Sequence, residues 1–409
     1  MKILFLTHYF QPEPNFFFGL PFAEELVRRG HEVEVLTGFP NYPGGKIYPE
    51  YRNKFFMTEV MNGIRVHRFP LYPSHGTSAL KRILCYASLS MAIALYTPLV
   101  SRSFDVAYVC QGPATLGLPA LLLKMLKNIP YVYHVQDIWP ESLFSTGMFN
   151  SKLAYKCLDK LCGFVYKNAE KVVVISPGMK DVITQKNVSS EKFEIIYNWC
   201  DEKNILNSPV ARFKIFEQMK ERFNVIFAGN MGKAQSLSAV LQAAPIVAKE
   251  APEVQFVFIG GGVEKDNLIR KSQEMNLQNI VFHERVTSDQ IGYFLKKADV
   301  LLVHLKDDPL FRITIPSKTQ AYLATGKPLL MAVKGDAADL VKKAGAGIIV
   351  EPENPQDIAR GVIELAQMND ETRCRMGELG AQFYRQNMSF ERAADRFEKI
   401  FTAAVKGNN

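Results

Sequence analysis

The residues best suited to chemistry lie in three short stretches. In the first, the apolar run Val225-Ile226-Phe227-Ala228 leads into Gly229-Asn230-Met231-Gly232-Lys233. An unbranched turn with a lysine behind it, ahead of a helix predicted from Gln235, offers backbone N–H groups and a cation to a pyrophosphate. It is neither a Walker loop nor a full dinucleotide fingerprint. In the second stretch, Pro316-Ser317 opens a predicted helix that runs through Ala324 and stops at Gly326. Lys318 falls in its first turn, where the helix dipole disfavours a cation. A cation held against that gradient points to an anion in the same place. In the third, the apolar strand Tyr131–Val135 leads to Gln136-Asp137-Ile138-Trp139-Pro140-Glu141-Ser142. Side chains at the carboxyl end of such a strand reach a ligand site, so His134, Asp137 and Glu141 are candidate acid–base groups, with Asp137 ahead of His134. A histidine inside a strand also serves as a satisfied core residue, and Trp139 as a plug. Tyr9, Glu13 and Asn15 belong to the first turn of the chain and would line the same cleft.

Other chemistries find little to build on. Asp307-Asp308 are adjacent rather than alternating, no Asp-x-Asp occurs, and the seven histidines are scattered, so no metal site is expected. The lysines are dispersed, without a basic run or an aromatic ribonucleoprotein box, and no nucleic-acid partner is expected. The six cysteines lack zinc-knuckle spacing and read as reduced thiols of a cytosolic protein.

The elements that must position these residues alternate as strand and helix twice over. At 409 residues the natural division is two domains. Residues 1–201 read as a first Rossmann-like domain, 202–222 as a linker, 223–388 as a second such domain, and 389–409 as a closing helix. That helix carries an apolar face, Phe390, Ala393, Ala394, Phe397, Ile400 and Phe401, which either covers its own sheet or reaches back to the first domain. The expected fold class is α/β, with two doubly wound Rossmann-like domains facing each other across a cleft. Buried parallel strands are expected at Lys2–Thr7, Val106–Cys110, Lys171–Ile175, Val254–Ile259 and Val300–Leu305, among others.

The net charge of +8 is uneven. Residues 1–200 hold 21 Lys and Arg against 15 Asp and Glu, which suits either a mildly basic enzyme or a first half that meets an anionic partner. Leu80 to Val100 is apolar behind Lys81-Arg82 and contains no acidic residue. Ser88, Ser90, Thr97 and Pro98 dilute it, which makes it marginal as a spanning helix. It reads as a helix of the first domain that, at the surface, would present a membrane-facing patch with basic flanks.

At these motifs the chain resembles the nucleotide-sugar glycosyltransferases of family 4, which have the two-domain GT-B fold, and within them the bacterial L-fucosamine transferases of O-antigen and capsule synthesis. The resemblance covers nearly the full length. It is carried by His8-Tyr9-Phe10-Gln11-Pro12-Glu13, Arg29-Gly30-His31-Glu32-Val33, Phe39-Pro40-Asn41-Tyr42-Pro43-Gly44, the Gln136–Ser142 stretch, Gly229–Gln235 and Pro316-Ser317-Lys318. It implies a retaining, metal-independent transferase without a cofactor, the nucleotide-sugar on the second domain and the acceptor on the first. On this resemblance Gly229, Asn230, Gly232, Lys233, Ser317 and Lys318 meet the donor phosphates. Arg285 or Val286 meets the base, with Gln320 placed among the base and ribose contacts, and Asn41 and Tyr42 join Tyr9, Glu13 and Asn15 on the acceptor side. The donor would be a UDP-sugar, the sugar N-acetyl-L-fucosamine. The acceptor would be a saccharide on undecaprenyl-pyrophosphate, met at the anionic cytoplasmic face of the inner membrane. The chain departs from the family where paired glutamates eight apart are common: Ile313 and Ala321 stand there. The alternatives are an enzyme like UDP-N-acetylglucosamine 2-epimerase, and a non-catalytic nucleotide-sugar-binding protein.

Overall fold

The computed structural model describes residues 1–15, 17–52, 54–76, 78–145, 151–209 and 213–407. The chain divides into two compact units, Met1–Tyr197 with Ala394–Asn409, and Asn198–Ala393.

Unit 1 is built on a sheet of eight strands: β1 (Lys2–Thr7), β2 (Glu32–Gly38), β3 (Met57–Met61), β4 (Ile64–Phe69), β5 (Val106–Gln111), β6 (Tyr131–Val135), β7 (Lys171–Val174) and β8 (Phe193–Ile195). Their order is β3-β4-β2-β1-β5-β6-β7-β8. Every pairing is parallel except β3 with β4. That antiparallel hairpin was not expected. Its turn, Asn62 at φ 48° and Gly63 at φ 82°, is the Asn-Gly pair that favours a tight hairpin, and it was the available signal. The helices are α1 (Leu20–Arg28), α2 (Ala79–Tyr96), α3 (Gly117–Lys127), α4 (Glu141–Ser145), α5 (Lys152–Asn168) and α6 (Pro177–Thr184). Going from β4 to β5, β5 to β6 and β6 to β7 the chain advances in one direction, so right-handed crossovers place α2, α3 and α5 on one face. The β1–α1–β2 step runs the other way and sets α1 on the opposite face.

Unit 2 has six parallel strands, β9 (Phe223–Asn230), β10 (Val254–Gly261), β11 (Ile280–His283), β12 (Val300–His304), β13 (Leu329–Ala332) and β14 (Gly347–Ile349), ordered β11-β10-β9-β12-β13-β14. The short helices α7 (Glu202–Leu206) and α8 (Ile215–Met219) occupy the stretch expected to be a linker, and they belong to this unit. Around the sheet stand α9 (Ser238–Glu250), α10 (Lys265–Glu274), α11 (Ser288–Lys296), α12 (Pro309–Arg312), α13 (Ser317–Thr325), α14 (Asp336–Ala344), α15 (Pro355–Gln367) and α16 (Asp370–Asn387). Apolar residues such as Val225, Phe227, Phe256, Leu302, Val240 and Ile358 are buried in one core. The last helix, α17 (Phe390–Lys406), belongs to unit 1 from Ala394 onward. Its Phe397 packs 5.1 Å from the ring of Phe22 in α1.

Both units are doubly wound, as the alternation of strand and helix requires. In each, the strand order reverses once, next to β1 and β5 in unit 1 and next to β9 and β12 in unit 2. Crevices outside the carboxyl ends of strands at such points are where ligands bind.

Candidate active site

At the carboxyl end of β9 the chain turns through Gly229 at φ 134°, while β10 ends through Gly260 at φ 137° and Gly262 at φ 145°. The two ends pass so closely that a Cβ on Gly260 would stand 2.1 Å from Gly229 O, and one on Gly262 2.5 Å from Met231 O. Only glycine takes these dihedrals without strain. The turn closes on itself: Met231 N donates to Gly261 O at 2.7 Å, and Gly232 N to Gln235 Oε1 at 2.9 Å. The helix predicted from Gln235 begins at Ser238 instead. Lys233–Gln235 form a 3-10 turn, and Ser236 takes φ 44° before α9 starts. The Gly232 N–H is therefore spent on a side chain that was not singled out from the sequence. His304, at the end of β12, supports that side chain's residue. Its Nδ1 donates to Gln235 O (2.8 Å) and its Nε2 accepts from Glu353 N (3.2 Å), an arrangement that requires a neutral ring. Burial agrees, lowering the imidazole to about 4.

Below the open face of Gly229 lies Lys318. Tyr322 pins α13 to β9, its hydroxyl accepting from Ala228 N at 2.8 Å and donating to Ala228 O at 3.2 Å. One helical turn earlier, the Lys318 side chain points at the same strand end. Its Nζ sits 3.4 Å from the centre of the Phe227 ring and 3.5 Å from where a Cβ on Gly229 would be. The ammonium is buried without a hydrogen-bond partner. A cation taken out of water with no acceptor is costly, and the cation–π contact offsets only part of that cost. Desolvation accordingly pushes Lys318 down to about 7. An anion bound beside Gly229 would supply the missing acceptor.

The remaining residues of this group are dispersed. Asn230 and Lys233 are exposed along the turn, and Ser317 is exposed at the first position of α13. Arg285 is exposed and Val286 half-buried in the loop after β11, the edge strand two places from β9. Gln320 does not project to a ligand. It is 2% exposed, and its amide nitrogen, turned toward the Pro316 and Ser317 carbonyls, donates at 2.8 and 2.9 Å and closes the first turn of its own helix.

In unit 1 Asp137 stands exposed just past β6, its carbonyl accepting from Gln111 Nε2 at 2.9 Å. Lost hydration raises its carboxyl above the usual carboxylate range, and direct solvent access limits that rise. His134 is placed otherwise. It is fully buried, with Nδ1 2.7 Å from Tyr108 Oη and Nε2 2.8 Å from Gln136 Nε2. Burial lowers it to about 3, so it is a neutral core residue with both nitrogens engaged. Phe397 of α17 packs on it at 5.1 Å. Glu141 accepts from Lys186 Nζ at 2.7 Å and lines a pocket of about 500 Å³ beside Tyr155 and Asp159 of α5 and Lys186 just past α6. Neither residue joins Asp137.

The acceptor-side set also separates into two kinds. Glu13, 1% exposed, accepts from the backbone N–H groups of Asn41 and Tyr42 (2.8 Å each) and of Phe10 (3.2 Å). Burial pushes its carboxyl up to about 7 against the pull of those bonds. Asn15 binds Tyr9 O and Phe18 N, and buried Asn41 donates to Phe39 O, so these three side chains hold loops. Tyr9 and Tyr42 are half-buried, their rings 5.0 Å apart. His75, missed in the sequence, joins them: Tyr9 Oη lies 2.9 Å from its Nε2, and its ring is 4.8 Å from Tyr42. Nearby, buried Tyr86 and Trp139 stand 5.9 Å apart. Among the described residues no group of three or more His, Cys, Asp or Glu could hold a metal ion.

Comparison with known proteins gives this architecture its class. Residues 20–199 match the model of a glycosyl transferase 4-like domain and residues 210–383 that of glycosyl transferases group 1. The chain is a family-4-like glycosyltransferase of the GT-B fold. It is 27% identical over 274 residues to the probable glycosyltransferase WbjE of Pseudomonas aeruginosa, covering 66% of this chain and 68% of that one. It is 26% identical over 353 residues to the putative colanic acid biosynthesis glycosyl transferase WcaI of Escherichia coli K12, covering 83% and 85%. The fold matches the crystal structure of Anabaena Alr3699/HepE in complex with UDP with a TM-score of 0.68 at 16% identity, over 98% of this chain and 100% of that one.

Proposed function

We propose that the protein transfers an N-acetylated amino sugar, N-acetyl-L-fucosamine by preference, from a UDP-sugar to a glycan carried on undecaprenyl-pyrophosphate, in the synthesis of a bacterial surface polysaccharide at the cytoplasmic face of the inner membrane. The observation that carries the donor half is the buried, acceptor-less ammonium of Lys318 beneath the glycine ends of β9 and β10. UDP in the structure of similar fold, and the colanic acid role in the name of one relative, support the reading.

As the bond to the sugar breaks, negative charge grows on the departing phosphates. Lys318, with exposed Lys233, meets that charge without needing a metal ion. Attack on the face that UDP leaves retains the configuration, with a phosphate oxygen taking the proton of the acceptor hydroxyl. Asp137, its carboxylate open to solvent, orients that hydroxyl. His134 and Glu141 take no part in the proton transfer, since one is a satisfied core residue and the other is paired with Lys186. Titration calorimetry with UDP and GDP tests the donor half. The expected result is binding of UDP with GDP much weaker; a preference for GDP, or no binding of either, rejects it.

A further inference from the structure

The exposed apolar surface is unevenly shared. Among the described residues the large apolar side chains that stand exposed in unit 2 are Leu206, Val263 and Met275, and all the others belong to unit 1. Most of these sit on α2, α3 and α5, the helices of one face of the sheet. Along α2 and just beyond it, Leu80, Leu84, Met91, Leu95 and Leu99 are 68, 46, 52, 73 and 76% exposed. They recur every four or seven residues and so form one stripe, roughly 30 Å long at 1.5 Å per residue. The opposite side of the helix, Cys85, Leu89 and Ile93, is fully buried in unit 1. Helix α2 is thus apolar on both sides and built into its unit by one of them. It is long and apolar enough to cross a membrane, yet its packing keeps it lying along the unit's surface. Met125 and Leu126 at the end of α3 extend the patch.

The next helix, α5, shows what covers it. Leu153, Leu161 and Phe164 are exposed on one strip. At 100° per residue, the exposed Lys152, Lys156, Lys160 and Lys167 fall in a row along one edge of that strip. Asp159, beside the row, is drawn off by Lys186. Lys81 is exposed at the start of α2, whereas Arg82, the second half of the basic flank read from the sequence, lies half-buried 3.4 Å from Tyr86 Oη. An apolar surface edged by cations complements a bilayer with anionic headgroups, apolar stripe in the acyl boundary and lysines at headgroup level.

We infer that the outer face of the α2–α3–α5 layer is a docking surface for an anionic bilayer, with the α5 lysine row reading the headgroups. This deepens the lipid-linked acceptor reading and rests on it for its purpose, since a polyprenyl-borne glycan has to be met at a membrane. The test is flotation of the full-length protein with vesicles of phosphatidylcholine, alone or mixed with phosphatidylglycerol, at low and high salt. Wild type is expected to float with the anionic vesicles and to be released by salt. Lys152→Glu/Lys156→Glu/Lys160→Glu is expected to weaken that partition at least roughly 100-fold, at about fivefold for each of the cations lost before any repulsion of the glutamates, and Leu84→Ser/Leu95→Ser to weaken it on any vesicle. UDP affinity, measured without lipid, should not change in either variant, which controls for folding. No flotation of wild type, or a lysine variant that floats as wild type does, overturns the inference. So does a wild-type dimer in sedimentation that Leu84→Ser/Leu95→Ser splits without changing flotation, since a second copy then covers the face. Lysine-dependent flotation in a protein that binds no UDP keeps this inference and removes the donor assignment instead.

Discussion

Replacing Lys318 by Met keeps the bulk of the side chain and removes its charge. In the unliganded protein burial holds the ammonium at about 7 rather than the usual 10.5 of a lysine. At 1.36 kcal/mol per unit, that difference opposes folding by roughly 5 kcal/mol at most. The folded value lies below the unfolded one, so between about 7 and 10.5 the unfolded chain binds more protons and stability rises with pH; below about 7 the full cost stands. Lys318→Met removes this cost but also loses the contact with Phe227, worth up to about 2 kcal/mol. The unliganded variant should therefore be more stable than wild type at pH 7, by roughly 2–3 kcal/mol in urea unfolding. Binding should move the other way. A diphosphate at Gly229 gives the ammonium its acceptor and returns its proton, so wild type at pH 8 should take up about 0.9 proton per UDP. Calorimetry in two buffers of different ionisation enthalpy reads this directly. The variant should take up none and bind UDP roughly 5- to 150-fold more weakly, as a charge-assisted contact of about 1–3 kcal/mol is lost. Wild type without proton uptake, or a variant with unchanged UDP affinity, refutes the reasoning.

Other consequences follow from the same geometry. Asp137→Asn should cut turnover at least about 100-fold while leaving UDP affinity nearly intact in calorimetry, because the carboxylate acts on the acceptor alone. Gly260→Ala forces a methyl to 2.1 Å from Gly229 O at φ 137° and should cost at least about 3 kcal/mol in chemical unfolding, with UDP binding lost. Tyr322→Phe leaves the Ala228 N–H and carbonyl without the hydroxyl that joins α13 to β9, and should lower stability by about 1–3 kcal/mol and weaken UDP binding. Glu13→Ala strips three backbone N–H groups of their acceptor, and should raise the acceptor KM in steady-state assays while donor KM holds.

Much of the fold was legible because buried parallel strands are continuous apolar runs that leave little choice of state. The hairpin β3–β4 was not, since its first strand alternates half-buried and exposed residues, and only the Asn62-Gly63 turn marks it. Lys318 stood out because a lysine in the first turn of a helix opposes the dipole, a signal wholly local. His134 and Glu141 could not be sorted locally. What makes His134 a core residue is Tyr108 on the neighbouring strand and Phe397 some 260 positions downstream, and what occupies Glu141 is Lys186. The same holds for the glycine turn, where the side chain of Gln235, supported by His304 from another strand, takes the N–H that a helix start was expected to leave open. Loop-holding roles such as those of Glu13 and Asn41 depend on backbone groups that a sequence does not display.

Transfer of a sugar from UDP to a lipid-borne acceptor is tested most directly by a mass-detected transfer assay. Incubated with a panel of UDP-N-acetylamino sugars and polyprenyl-pyrophosphate saccharides, the protein should release UDP only when acceptor is present. The acceptor should gain one amino-sugar residue in the retained configuration, at a rate that EDTA does not change. Conversion of the UDP-sugar to an isomer without acceptor, or binding of UDP with no product from any pair, would contradict the account.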